Sequence, residues 1–484
     1  MIYDGLPFNE QPDIERARET TRRYYGSALA DKASDELCVK LAAGSGTRSI
    51  AKGFRESFPG APAGPQHTIV EFSGAGFSVE PLDVKTAEVW PALEKIIARV
   101  NESPIEVILR SQQVIQQQRI KLYREKVLQA ISQYTGHMEN RIEKSFAQES
   151  VSLSNAGRLT TTCWLDQTVR TIADVSLLAE MATDNSIDKL DVPRPLQAEI
   201  NSTAGVVDAT GYRGRSTATG KGIIVAVIDG EVDINHAALA GRVMHRKNYT
   251  REPWGSPDSH GTAVAGIIGS ADSVYSGMAP GATIYSYKVL ATNSAFNGTN
   301  FDGRLAIQNA LEDGAHIANC SWGDGPAGNG KGKNAEACNN AWNLGLTIVK
   351  SAGNRGPGAA TLTSPADADG IIVVGATGKD GKQVEGYSSR GPTAHGQVRP
   401  HVLAPGGGLT DGIFSCAPGN RFGNVGAGTS FAAPHISGLL ALILEQYDLS
   451  PDEQRNYLLK VCTTLPGFGN NDQGQGLVSL LTKP

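Results

Sequence analysis

From residue 222 onward the apolar positions come in short unbroken runs. Residues 223–228 read Ile-Ile-Val-Ala-Val-Ile, and similar runs recur at 283–290, 316–319, 346–349 and 371–374. A run that is apolar on both faces marks a parallel strand covered by helices on each side. Between the runs lie stretches of helical period at 260–269, 304–313 and 334–344. Strands alternating with helices predict an α/β fold: a three-layer sandwich around a mostly parallel sheet, with ligands beyond the carboxyl ends of the strands. Residues 436–444 are apolar all round, which predicts a helix in the middle of the core.

The first half is patterned differently. Residues 67–72 alternate as a strand, 86–100 carry an apolar stripe at helical spacing, and 105–109 form a short apolar run. A second helical stripe spans 116–134; then 158–165 read as a strand, 167–182 as a helix and 187–192 as a strand. This succession predicts a small α+β module over 104–200. Residues 201–220 are rich in Gly, Ser and Thr and read as a linker, and 221–484 form the large domain. Residues 1–103 carry no assignable role.

Composition narrows the class. A net charge of −5, with no basic stripe interleaved with aromatics, argues against a nucleic-acid partner. No stretch reaches the roughly 18 apolar residues of a membrane span. The opening residues carry Glu15, Arg16, Arg18, Glu19, Arg22 and Arg23 where a secretory leader has its apolar core. Six scattered cysteines without a Cys-x-x-Cys read as reduced thiols. Both features lead us to expect a cytoplasmic protein.

The candidate chemistry lies at the predicted strand ends and helix starts. Asp229 closes the first apolar run, His260 opens the first helix, and Ser430 opens the apolar helix in Gly428-Thr429-Ser430-Phe431-Ala432-Ala433-Pro434-His435. A serine at a buried helix's first turn meets free N–H groups and the positive end of the dipole. Pro434 is read as an early helical position, where proline is tolerated. Asn354, in Lys350-Ser351-Ala352-Gly353-Asn354, falls just past a strand end, where its amide is placed to donate to an oxyanion. A serine needs a base titrating near the working pH, and histidine is that base.

Taken in order, these stretches resemble the subtilisin-like serine proteases (subtilases) from about residue 220 to the end. Further stretches agree: Met278-Ala279-Pro280-Gly281-Ala282, Ser321-Trp322-Gly323, Tyr387-Ser388-Ser389-Arg390-Gly391-Pro392 and Val402-Leu403-Ala404-Pro405-Gly406. The resemblance implies a catalytic triad of Asp229, His260 and Ser430, with an oxyanion hole from Asn354 and the Ser430 backbone N–H. It implies an extended polypeptide substrate flanked by Phe296-Asn297-Gly298 and Ser321-Trp322-Gly323. Ser351, Ala352 and Gly353 would wall the first pocket, and with Trp322 they lead us to expect a roomy apolar one. The Pro365 position is often cis in this family.

Residues 158–195 look like the second half of a subtilase propeptide, which would make 191–197 a tail occupying the cleft and the N-terminal domain an intramolecular inhibitor. Self-cleavage is then expected within 190–220. The chain departs from the family at Glu231, which lies near the cleft, and at Ala263, where a second histidine is common. Residues 268–277 are too short and too poor in carboxylates for the usual calcium loop, so no metal and no cofactor are expected. The remaining histidines, His236, His245, His316, His395, His401 and His435, are expected to be structural or exposed. The expected function is therefore a serine endopeptidase restrained by its N-terminal domain. The alternative is a signalling or binding protein whose latent protease half is released by a partner.

Overall fold

The computed structural model describes residues 217–408 and 410–479 continuously, and of the first 216 residues only short segments. The expected helices at 86–100 and 116–134 and the strand at 105–109 lie outside the described residues. The chain divides into two compact units.

Among its described residues the first unit carries α1 (Ser27–Lys32) and the strands β1 (His67–Gly74), β2 (Thr161–Cys163), β3 (Thr168–Asp174) and β4 (Ile187–Asp191). They form one sheet in the order β2-β3-β1-β4, with each pairing antiparallel. β1 precedes residue 103 and β2–β4 follow it, so this sheet draws on both N-terminal segments. The strands expected near 67–72, 158–165 and 187–192 are present. Where a helix was expected over 167–182, β3 occupies Thr168–Asp174; of the remainder only Met181 and Ala182 are described, and they are helical. Thr168, Val169, Thr171 and Ile172 are β-branched, and β3 is paired along both edges, by β1 and β2. Ladder bonds on two sides outweigh a stripe that reads at either period.

The second unit begins its described elements with β5 (Gln197–Ala198), followed by β6 (Ile224–Asp229), β7 (Val243–Asn248), α2 (Ser259–Gly269), β8 (Thr283–Lys288) and α3 (Asn300–Glu312). Then come β9 (Ile317–Cys320), β10 (Trp322–Gly323), α4 (Lys333–Asn343), β11 (Thr347–Ser351), β12 (Ile372–Thr377) and β13 (Val402–Pro405). β14 (Ile413–Ala417), β15 (Arg421–Gly426), α5 (Thr429–Gln446), α6 (Pro451–Lys460), β16 (Cys462–Thr463), α7 (Asn470–Gln473) and β17 (Leu477–Val478) complete it.

Nine strands form the central sheet in the order β16-β17-β13-β12-β11-β9-β6-β8-β7. All neighbours are parallel except β16 and β17. Val225, Val227, Val349, Ile372 and Val374 pack with α2 and α5 in the main core. The intervening Ala226, Ile228, Ile348 and Val373 are buried as well. Both faces are thus covered, which is why these strands read as unbroken apolar runs. β14 and β15 form a separate hairpin. β5 pairs antiparallel with β10, Trp322 opposite Ala198 and Gly323 opposite Gln197.

Candidate active site

Asp229 is the last residue of β6, and His260 is the second residue of α2. Two glycines let these elements meet. A Cβ on Gly261 would lie 2.3 Å from the Gly230 carbonyl oxygen, and one on Gly230 would lie 2.4 Å from Asp258 Oδ1. Only bare backbone fits that approach, and it carries Asp229 and His260 together. Asp229 Oδ1 lies 2.7 Å from His260 Nδ1, with both side chains buried. The start of α2 is fixed by Asp258, whose side chain accepts from the N–H groups of His260 and Gly261. Burial raises the Asp258 carboxyl above its ordinary range.

Ser430 is the second residue of α5 and is buried. Its neighbour Phe431 sets its ring 5.4 Å from that of His260. Pro434 is the sixth residue of α5, inside the helix and not at its first turn. It has no N–H for the carbonyl four residues back, which belongs to Ser430. Ser321 fills that gap: its Oγ donates to Ser430 O at 2.8 Å, while Ser430 Oγ donates to Ser321 O at 3.2 Å. Asn319 Nδ2 donates to Ser321 Oγ, and Ser437 Oγ donates to Asn319 Oδ1, so the bracket is tied back into α5.

Asn354 follows β11. Its Oδ1 accepts from Thr429 N at 3.0 Å and from Thr429 Oγ1 at 2.9 Å. A backbone N–H only donates, so the amide oxygen must face Thr429 and the amide nitrogen must point the other way. Thr429 Oγ1 also accepts from Gly353 N at 3.1 Å. Nothing in the sequence singled out Thr429 as the anchor of Asn354.

The other expected positions serve the frame as well. Asn297 Oδ1 accepts from Ala291 N, and Gly298 N donates to Val289 O, closing the loop after β8. Trp322 is buried against α3, where a Cβ on Gly303 would lie 2.8 Å from its ring. Ser351 and Ala352 are fully buried, and Gly353 has φ +110°.

Glu231 turns inward. Its carboxylate accepts from Lys288 Nζ at 2.9 Å and from Gly255 N at 2.7 Å. Lys288 also reaches Glu252 at 2.9 Å. These bonds hold the segment leading to α2, where Asp258 N donates to Glu231 O. This buried pair was not expected; its signal is a lone lysine ending an apolar strand.

His236, His316 and His401 accept backbone N–H bonds at Nδ1, and His435 Nδ1 donates to Phe431 O. Asp229, Asp258 and His260 bring potential ligand atoms within 4.8 Å of one another. Asp229 and His260 bond each other and Asp258 caps α2, so the trio is accounted for without a cation. In the loop 268–277, Asp272 accepts from Val274 N and Tyr275 N, and Arg213 donates to Ser276 Oγ and Gly277 O. The cysteines are free thiols, five of them buried, and burial pushes Cys320 up to about 12. No helix among the described residues is long and apolar enough to cross a membrane.

Residues 220–477 match the sequence profile of the Subtilase family. Serine protease AprX of Bacillus subtilis (strain 168) is 31% identical over 322 residues, covering 58% of this chain and 70% of that protein. Subtilisin DY of Bacillus licheniformis is 32% identical over 271 residues, covering 54% of this chain and 89% of that protein. The major intracellular serine protease of Bacillus subtilis (strain 168) is 33% identical over 278 residues, covering 52% and 81%. On this match, over more than half its length, the chain belongs to the subtilase family of serine endopeptidases.

Proposed function

We propose that Asp229, His260 and Ser430 form the hydrolytic triad. Ser430 Oγ attacks the substrate carbonyl while His260 Nε2 takes its proton and then delivers it to the leaving amine. Asp229 holds the His260 tautomer and stabilises the imidazolium. The Asn354 amide nitrogen and the Ser430 N–H receive the oxyanion. Water then attacks the acyl-enzyme by the reverse proton path. The observation that carries this reading is the 2.7 Å Asp229–His260 pair at a strand end, on a chain whose Ser430 is clasped at the start of a buried helix.

The substrate is a polypeptide, and we read it as adding a strand along Trp322–Gly323. β5 pairs with that edge, so backbone bonding is available there to an extended chain. Asn297 and Gly298 would flank its other side, and Ser351, Ala352 and Gly353 would wall the pocket for the side chain before the cut bond, the first pocket. Residues 221–484 are then the catalytic domain and 201–220 the linker. The N-terminal segments, 1–103 and 104–200, supply an intramolecular restraint whose last strand, β5, covers the substrate edge. The alternative of a signalling or binding protein with a latent protease half is not favoured, since the relatives named above are proteases. The chain is read as cytoplasmic and as working without a metal or cofactor.

The test compares the full chain with Ser430→Ala and Asp229→Asn. Ser430→Ala is expected to keep its near-UV dichroism, lose fluorophosphonate labelling and lose casein hydrolysis. Asp229→Asn is expected to label slowly, with kcat down about 10⁴-fold. Hydrolysis retained by Ser430→Ala removes Ser430 as the nucleophile. Intact mass followed over time reports whether the restraint is cut.

A further inference from the structure

His260 stands where its charge is resisted. It is in the first turn of α2, at the positive end of the helix dipole, which disfavours a cation. A base that takes the Ser430 proton must nevertheless become an imidazolium. Asp229 offsets part of that conflict from 2.7 Å. A second carboxyl group stands at the same end.

That group is Asp258, the cap of α2. Its Oδ1 accepts from His260 N at 2.9 Å and from Gly261 N at 3.0 Å. It lies flat on Gly230, where an added Cβ would meet its Cβ and Cγ at 2.6 Å. Its own N donates to Glu231 O at 2.7 Å. So fixed, an oxygen of Asp258, an oxygen of Asp229 and a ring nitrogen of His260 lie within 4.8 Å of one another.

The cap itself needs no charge, since Asn and Ser cap about as well as Asp. The ionised carboxylate is also disfavoured where it stands, by burial first and by the charge of Asp229. Besides the capped N–H groups, what favours it is the charge of protonated His260. The attraction is mutual, so an ionised Asp258 favours the imidazolium equally.

Other titratable and charged groups around α2 are engaged elsewhere. Glu231 accepts from Lys288 and Gly255 N, and Glu252 also meets Lys288. Asp233 accepts from Asn235 N and Gly419 N. His236 bonds Arg421 O, while Arg421 Nε donates to Pro418 O. From α5 come the neutral Ser430 and Phe431, and His435, which bonds Phe431 O. Toward the other end of α2, Arg242 donates to Gly269 O, and burial pushes the Cys416 thiol up to about 12.

We propose that Asp258 is a positioning residue with a second duty: beside capping α2, its carboxylate is a second anion, after Asp229, for the imidazolium that His260 becomes. This rests on the reading of Asp229, His260 and Ser430 as the triad. As Ser430 Oγ bonds the substrate carbonyl carbon, the π pair moves to the carbonyl oxygen and the Ser430 proton passes to His260 Nε2. The cation so formed is flanked by both carboxylates.

The test uses the full chain and its Asp258→Asn and Asp258→Ser variants, each of which keeps a capping oxygen and removes the charge. Second-order labelling of Ser430 by a neutral fluorophosphonate is followed from pH 5 to 9. The rate falls in acid as His260 takes up its proton. In both variants the midpoint of that fall is expected at least about 0.5 pH unit below the wild-type midpoint, because the imidazolium has lost one anion. A smaller shift, a shift upward, or a shift in one folded variant only overturns the proposal. If one variant does not fold, the other decides; if neither folds, the charge belongs to the fold and the proposal is overturned. Labelling with an unmoved midpoint defeats Asp258 alone. No label on Ser430 of the wild-type chain at any pH defeats the triad, and this proposal with it.

Discussion

Ser321 clasps Ser430 by two bonds: its hydroxyl donates to the Ser430 carbonyl at 2.8 Å, and its carbonyl accepts from the Ser430 hydroxyl at 3.2 Å. The first bond exists because Pro434 cannot supply the helical one. Ser321→Ala is therefore expected to leave a buried carbonyl unpaired and to cost about 1–3 kcal/mol. In a Pro434→Ala background the restored N–H takes that carbonyl, so the same change should cost less. Urea melts of the four-member cycle, all carrying Ser430→Ala against self-digestion, measure the coupling. Additive costs would mean that the Ser321 bond does not compensate for the proline.

Asn354 has two ends with separate duties. Its oxygen holds Thr429 N and Oγ1, and its nitrogen is assigned to the oxyanion. Asn354→Ala should lower kcat by about 10²–10³ and also loosen the start of α5. Asn354→Asp keeps an acceptor for Thr429 but offers no donor to the oxyanion. It should match the kcat loss while melting near wild type. Steady-state kinetics beside thermal melts separate the two duties.

Two buried imidazoles make the fold sensitive to acid. Burial lowers His435 to about 4 and His401 well below its ordinary range, the latter helped by Arg399 and Arg455. Unfolded, both titrate near pH 6.5. Below that point the unfolded chain binds protons that the folded chain refuses. Stability is therefore complete above about pH 6.5 and declines as the pH falls toward the folded values, by roughly 1.4 kcal/mol per pH unit for each group. Melting temperatures of Ser430→Ala should show this slope. Replacing His435 with glutamine should make it shallower below about pH 6.5.

Lys288 bonds Glu231 and Glu252, each at 2.9 Å, with Lys288 and Glu231 buried. Lys288→Met leaves carboxylates without their cation and is expected to cost about 3–5 kcal/mol. The segment they hold leads to Asp258 and His260, so kcat should fall as well. Adding Glu231→Gln should recover part of the stability. A denaturant series with kcat measured on the same samples checks both effects.

Much of the architecture was legible along the chain, because a strand buried on both faces must be apolar at successive positions. The runs at 223–228 and 371–374 mark β6 and β12, and the helical period at 260–269 marks α2. Asp229, His260, Asn354 and Ser430 could be picked out because each sits at an element's end, where local residue types change. The N-terminal sheet was less legible: β3 reads at either period, and only its partners β1 and β2 decide for a strand.

What the amino-acid order determined by itself is the succession of strands and helices and the candidates for the reactive side chains, since these depend on neighbours within a few residues. Tertiary structure alone decided which way those side chains turn. Glu231 turns from the cleft to Lys288, 57 residues on, and Ser321 reaches Ser430 across 109. Trp322 goes under α3, and Lys350 aims its ammonium at Thr363. Such bonds join residues brought close only once the sheet is assembled, and no local pattern in the chain encodes them.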